Sequence, residues 1–148
     1  LTSNEIVHEM DLFTTFASMA GGEVPSDRII DGVDQSDFFL GRSAKSPRES
    51  VVVYVGNALY GVKWRNWKMM VKEISTIAGD PVRSYGVPLF YNLLLDPKEE
   101  YPVLHAPPNF WVRYPAGEVP VEHARSLQLK QPIPPGTPDP YVPATRPE

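Results

Sequence analysis

Three histidines are the residues in this chain best suited to acid–base chemistry, because the imidazole changes its charge near neutral pH. His8 lies beside Glu9 and Asp11, whereas His105 and His123 lie in proline-rich sequence. A general base also needs a partner and a pocket, and the neighbours of His8 fit a solvated helix face equally well. The residues alone therefore predict no catalytic group.

Four aspartates follow one another between residues 27 and 37, at Asp27, Asp31, Asp34 and Asp37. Clustered carboxylates are ligands that hard cations prefer, but this ladder lacks the spacing of an EF-hand loop. The Asp31–Gly32 pair is a turn signal, and Asp34 is placed to cap a short helical turn. We therefore predict turn and capping roles, and no metal site.

Aromatic and basic residues alternate at Trp64, Arg65, Trp67 and Lys68. This pattern fits a platform for carbohydrate or nucleic acid. It also fits one core tryptophan with basic residues flanking a turn, and we favour this packing interpretation. The net charge of −4 and the pI near 5.4 argue against a general nucleic-acid binder.

The composition excludes several kinds of site. The chain has no cysteine, so disulfides, zinc–thiolate sites and cysteine nucleophiles are excluded. No apolar run approaches the roughly 20 residues that span a bilayer, so no membrane partner is expected, and no signal-peptide pattern is visible. The sequence does not indicate the cellular compartment. The first residue is Leu1 and not Met, which indicates a fragment, a processed chain or a non-standard start.

The amino-terminal segment is predicted to be a helix from Thr2 to Ala20. Apolar residues recur at helical spacing, Thr2 and Glu5 have the spacing of a capping box, and the Gly-Gly pair that follows Ala20 supplies a stop. The apolar face is wide and a short chain has little with which to cover it. Three of its residues are therefore our candidates for an oligomer or domain interface: Phe13, Phe16 and Met19.

A β-meander is predicted between residues 49 and 73. The strands are Ser50–Val55, Ala58–Trp64 and Trp67–Ile74, with a type II′ turn at Gly56 and a second turn in which Asn66 takes positive φ. A short helical turn at 34–40 is expected to bury Phe38 and Phe39. Further strands are expected at 88–94 and 110–114, a loop at 76–87, and a short helix at 121–127.

The elements together predict an α+β fold. It has an antiparallel sheet of about four strands packed with helix, an N-terminal helix before it, and an extended proline-rich tail after it. The predicted segments are a helix at 1–22, a linker at 23–48, the sheet at 49–103 and the tail at 104–148. Twelve of the 17 prolines lie from Pro102 onward, and such sequence favours polyproline II.

Three stretches in this order resemble the C-terminal region of the arylsulfatase family. They are MDLFTTFASMAGG at 10–22, DRIIDGVDQSDFFLG at 27–41, and VKWRNWKMM at 62–70 combined with LFYNLLLDPKEE at 89–100. Together they cover about residues 5–102. The resemblance implies that the 1–22 helix matches the last helix of the large sulfatase domain, and that the sheet belongs to the smaller C-terminal subdomain.

The resemblance also implies what this chain lacks. The family uses a formylglycine made from Cys or Ser in a Cys/Ser-x-Pro/Ala-x-Arg motif, together with a calcium ion, and both lie upstream of the matched region. Ser46-Pro47-Arg48 differs from that motif in spacing and position. The expected role is therefore non-catalytic, with no cofactor held by this chain, the missing N-terminal domain as partner, and His105 as a candidate at the rim of the substrate cleft. The alternative is a free-standing binding or structural module that forms homo-oligomers through the N-terminal helix.

Overall fold

A four-stranded antiparallel sheet forms the centre of the computed structural model, which describes residues 2–27, 29–74, 81–103 and 107–129, with Gly136 and Pro138. The predicted α+β class and the sheet of four strands are confirmed. The strand order is the sequence order. The elements are α1 (Asp11–Met19), α2 (Ser36–Phe39), β1 (Ser50–Val55), β2 (Ala58–Trp64), β3 (Trp67–Glu73), β4 (Arg83–Asn92), a 3₁₀ helix (Pro107–Val112) and α3 (Arg113–Leu129).

The two tight turns of the meander lie where the sequence predicts them. Gly56 has a φ of 59°, as a type II′ turn requires at its first central residue. In the second turn the positive φ, 48°, belongs to Arg65, so the prediction for Asn66 is wrong. The same turn geometry places positive φ at the first central position, whichever residue type occupies it.

The fourth strand is longer than predicted. β4 begins at Arg83, within the predicted loop, because its first residues pair with the end of β3: Arg83 opposes Glu73 and Ser84 opposes Lys72. A register shift between Met70 and Lys72 separates this pairing from the rest of the ladder. Backbone pairing, and not side-chain alternation, extends the strand. Residues 75–80 lie outside the described residues.

The core lies on one face of the sheet. Val62, Met69 and Phe90 oppose one another across β2, β3 and β4, and Val112 and Ala116 cover them from the 3₁₀ helix and α3. Alternation along each strand places every second residue on this face. The sheet therefore has the covering layer that three or more strands need.

The covering layer replaces part of the predicted tail. The predicted strand at 110–114 is wrong, and the short predicted helix at 121–127 lies in the second half of a longer one, Arg113–Leu129. Pro115 falls in the first turn, where no intrahelical N–H bond is lost, and Pro120 costs one bond inside the helix. Packing of Ala116 and Val119 on the core offsets this cost. Apart from Gly136 and Pro138, the predicted tail after Leu129 lies outside the described residues.

Helix α1 is shorter than predicted and begins at Asp11, not Thr2. Tertiary hydrogen bonds hold the preceding segment in another conformation: the Ser46 N–H donates to the Glu5 carboxylate at 2.9 Å, and the Ser46 hydroxyl donates to the Ile6 carbonyl at 2.6 Å. Ile6 is buried outside the helix. The predicted capping box at Thr2 is therefore wrong. The Asp11 carboxylate instead accepts the His8 N–H at 3.0 Å, three residues back, as a capping-box side chain does.

Helix α2 confirms the predicted short helical turn. Phe38 is half-buried, but Phe39 is exposed, so its predicted burial is wrong. α2 is only one turn long and packs against α1, which leaves one side of each helix without cover within the described residues.

Candidate functional site

Five polar side chains form a buried cluster between α1 and the loop that leads to β1. Asp11 and Thr15 come from α1, Gln35 precedes α2, and Ser46 and Arg48 precede β1. Asp11, Thr15 and Gln35 are fully buried, and Arg48 is 12% exposed. We call these five residues the polar clasp.

Asp11 is the centre of the polar clasp. Its carboxylate accepts hydrogen bonds from Arg48 Nε at 2.8 Å, the Val33 N–H at 3.0 Å and Gln35 Nε2 at 3.2 Å, and Arg48 Nη2 completes a bidentate ion pair. Burial raises the pKa of Asp11, but the hydrogen bonds from Arg48, Val33, His8 and Gln35 together hold that pKa well below its usual range. Asp11 is therefore ionised, and its charge is fully compensated.

The remaining clasp residues satisfy one another. The Thr15 hydroxyl donates to the Asp11 carbonyl at 2.6 Å and accepts the Gln35 N–H at 3.0 Å. The Ser46 hydroxyl also lies 3.0 Å from Gln35 Oε1. Among the described residues, every buried side-chain nitrogen and oxygen has a partner. The clasp therefore fixes the orientation of α1 and has no free group for catalysis.

The opposite face of α1 is apolar and exposed. Phe13 and Phe16 are 57% and 58% exposed, and Met19 is 44% exposed. Together with the exposed Leu12, these residues are the α1 apolar face. Leu40, the residue after α2, borders a shallow cleft with Met19, which extends this surface. A helix normally turns its apolar stripe toward the core. In α1 the polar side faces the interior and the apolar side faces solvent, and in this sense we call the helix inverted. Its outer face is suited to contact with another protein surface.

The two histidines that the structure describes have different partners. His8 Nδ1 accepts the Met10 N–H at 3.3 Å. His123 lies in α3, and its Nε2 is 2.9 Å from the hydroxyl oxygen of Tyr54 in β1. His105 lies outside the described residues, so its proposed place at a cleft rim stays a prediction.

The aspartate ladder has structural partners. The Asp31 carbonyl accepts a hydrogen bond from Arg48 Nη2 at 2.7 Å. The Asp34 carboxylate accepts the Ser36 N–H at 2.8 Å, but the N-cap of α2 is Gln35, so Asp34 lies one residue before the cap and the predicted capping position is wrong. Hydrogen bonds from the Ser18 and Ser36 hydroxyls lower the pKa of Asp34. Within the described ranges, no three His, Asp or Glu side chains are grouped to hold a metal ion.

The tryptophan pattern divides between core and surface. Trp67 is buried in the core, and Trp64 packs beside it. Lys68 forms an ion pair with Glu99 at 2.6 Å. The predicted core tryptophan is therefore confirmed. The third tryptophan, Trp111, joins this cluster from the 3₁₀ helix, which the sequence did not predict.

The polar clasp was also missed, although one signal for it is present in the sequence. Asp11 stands inside an otherwise apolar helical pattern, and a buried carboxylate needs a cation. Arg48 lies 37 residues further on, and local spacing cannot pair residues at that distance.

Comparison with known proteins gives the same family as the motifs. No protein-family model matches the chain. Human arylsulfatase D is 29% identical over 115 residues, which are 64% of this chain and 19% of that protein. Mouse N-acetylgalactosamine-6-sulfatase is 30% identical over 152 aligned positions, covering 88% of this chain and 29% of that protein. The chain belongs to the sulfatase family.

The fold agrees with this assignment. The PsFucS1 sulfatase from Pseudoalteromonas sp. superimposes with a TM-score of 0.73 at 24% identity, over 84% of this chain and 26% of that one. The four-stranded sheet with its helices is the fold of the sulfatase C-terminal subdomain. This chain spans about a fifth of the length of the first curated sulfatases that it matches. No helix in the described part of the chain has the length and apolarity to cross a membrane.

Proposed function

We propose that this chain is the C-terminal subdomain of an arylsulfatase-like sulfate-ester hydrolase, non-catalytic by itself, and that it completes the fold and the rim of the substrate cleft. The observation that carries the proposal is the inverted helix α1. Its inner face is polar and fully hydrogen-bonded, and its outer face presents Phe13, Phe16 and Met19 to solvent.

The α1 apolar face is the contact surface in this proposal. Burying one large apolar side chain stabilises a contact by about 1.5–3 kcal/mol, so Phe13 and Phe16 have the most to gain from a cover. The polar clasp holds this surface in a fixed orientation, which lowers the entropic cost of docking. The occupant that we propose is the N-terminal part of the same sulfatase, because the chain accounts for only about a fifth of the length of its relatives.

The chemistry of the whole enzyme is assigned to that N-terminal part. There, Asp and Asn residues would hold the calcium ion, Lys and His residues would bind the sulfate, and formylglycine would supply the nucleophile, as the family resemblance implies. Ser46 is not a substitute nucleophile: its side chain is buried, and its hydroxyl is committed to the Ile6 carbonyl and Gln35. The names of the relatives include steryl-sulfatase and N-acetylgalactosamine-6-sulfatase, so we propose a sulfate ester as the substrate class of the whole enzyme.

An aryl sulfate assay tests the non-catalytic role. The purified chain is incubated with 4-nitrophenyl sulfate and calcium, beside the longer protein translated from any reading frame that continues upstream of Leu1. We expect turnover only from the longer protein, after conversion of its nucleophile to formylglycine. Turnover by the chain itself that persists through further purification steps would contradict the proposal.

The second candidate is a free-standing binding or structural module that forms homo-oligomers, and the same exposed α1 apolar face favours it. In this case a second copy covers Phe13, Phe16 and Met19. Sedimentation of the chain over a range of high concentrations separates the two: a monomer at all concentrations counts against the oligomer. A stop codon and ribosome-binding site directly upstream of Leu1 would favour the free-standing module over the fragment.

A further inference from the structure

The three tryptophans of the chain converge at one end of the sheet. The Trp111 ring lies 6.0 Å from the Trp64 ring at an interplanar angle of 76°, and 6.2 Å from the Trp67 ring at 82°. These edge-to-face contacts fix the plane of the Trp111 indole. The side chain is nevertheless 53% exposed, so a large apolar ring is held in a defined orientation with about half of it in water.

A guanidinium lies over the neighbouring Trp64 ring, and a carboxylate pairs with that guanidinium. The Arg65 guanidinium carbon lies 4.9 Å from the Trp64 ring centroid, within the range of a cation–π contact. Arg65 Nη2 also forms an ion pair with Glu49 at 2.6 Å, and both side chains are more than half exposed. Stacking on one side and the ion pair on the other order the planar guanidinium, while most of its donors stay accessible.

The tight turn between β2 and β3 sets the backbone conformation of Arg65. Its φ of 48° lies in the left-handed region, where Gly and Asn are favoured over a long side chain. This turn presents the Arg65 guanidinium over Trp64.

An exposed indole that packs against a second indole, which in turn carries an ordered donor group and its carboxylate partner, matches the chemistry of a sugar. A pyranose has an apolar C–H face that can cover an indole, and rim hydroxyls that can donate to a carboxylate and accept from a guanidinium. We propose that Trp111, Trp64, Arg65 and Glu49 form a surface site for a pyranose saccharide chain. The inference does not depend on hydrolase activity.

Single-stranded nucleic acid is the other ligand that stacks on exposed aromatic rings, but it also needs a basic groove. Glu49 already neutralises Arg65, and the chain carries a net charge of −4. The same cancellation predicts little preference for a charged sugar: a sulfate group near this pair meets attraction from Arg65 and repulsion from Glu49.

The test is a titration of the 148-residue chain labelled with 5-fluorotryptophan, followed by ¹⁹F NMR. The probes are cellohexaose, a chondroitin 6-sulfate hexasaccharide and single-stranded dT₆. Both saccharides are expected to shift the Trp111 resonance most and the buried Trp67 resonance least, with dissociation constants within about threefold of each other, and dT₆ is expected to leave all three resonances unchanged.

Variants assign the site. Trp111→Ala is expected to weaken saccharide binding at least tenfold, about 1.4 kcal/mol, whereas Trp111→Tyr retains a ring and most of the affinity. The control is Tyr101→Ala, which removes another exposed aromatic ring and should not change binding. No shift with either saccharide, a stronger shift with dT₆, or binding that survives in Trp111→Ala would overturn the proposal. Loss of aryl sulfate turnover in the longer protein would leave it unaffected.

Discussion

Replacing Arg48 by alanine should leave Asp11, a fully buried charge, without its cation. The Asp11 side chain has no exposed area, and Arg48 supplies both N–H groups of its ion pair. Removing one partner of a buried pair costs about 3–5 kcal/mol. Three other donors to Asp11 remain, from His8, Val33 and Gln35, so we expect about 3 kcal/mol. Such a loss is a large part of the roughly 5–15 kcal/mol that stabilises a domain.

The pH dependence provides a second signature of the same pair. The pKa of Asp11 is lowered in the folded chain, so its contribution to stability is fully present above the unfolded pKa of about 3.9. It is lost as the pH falls through the folded pKa. In Arg48→Ala the folded pKa rises, because burial then acts with less compensation. The difference in unfolding free energy between the two proteins should therefore shrink between pH 7 and pH 3.

The assay is urea unfolding followed by tryptophan fluorescence at pH 7, 5 and 3. Arg42→Ala is the matched control, since Arg42 pairs with Asp37 at 2.8 Å with both side chains well exposed. Exposed pairs contribute about 0–1 kcal/mol, so this variant should differ little from the parent. A loss below about 1 kcal/mol in Arg48→Ala at pH 7, or one that does not change with pH, would refute the assigned role of the clasp.

Two further predictions concern packing. A Cβ on Gly32 would clash with the Met10 carbonyl oxygen, so Gly32→Ala should clearly lower the urea midpoint. The control is Gly86→Ala, whose Cβ would meet nothing within 4 Å and should leave the midpoint unchanged. Equal midpoints in the two variants would contradict the close approach of Gly32 to Met10. Lys68→Met should lower the free energy of unfolding in urea by about 1 kcal/mol, because Lys68 and Glu99 are half-buried and their charged atoms lie 2.6 Å apart. A matching loss in Glu99→Gln would support the ion pair, and no loss in either variant would contradict it.

The sheet was predictable because its signals are local. β1 and β2 have the predicted bounds, since β-branched residues alternate between tight turns whose types depend on a single residue such as Gly56. Helix α1 was predicted too long because a helical pattern of apolar residues ignores the distant Ser46, which holds Glu5 and Ile6 outside the helix.

For the tail, the sequence predicted too little helix rather than too much. Its prolines favoured an extended chain, yet the 3₁₀ helix and α3 occupy residues 107–129. Pro115 lies where a helix tolerates proline. The sheet needs a covering layer, and the helical segment is stabilised because it buries Val112 and Ala116 on the open face of the sheet. Composition registers the number of prolines but not their positions relative to a helix start.

The docking of α1 is the central claim, and one comparison tests it directly. Phe16→Ala is measured by urea unfolding in this chain and in the longer protein that includes the upstream part, with Val62→Ala in the core as the control in both. In the chain alone Phe16 is exposed, and the change should stay within about 0.5 kcal/mol. In the longer protein we predict a loss of about 3–5 kcal/mol, as for a buried phenylalanine, while Val62→Ala costs the same in both. An equally small effect of Phe16→Ala in the two proteins would contradict the claim.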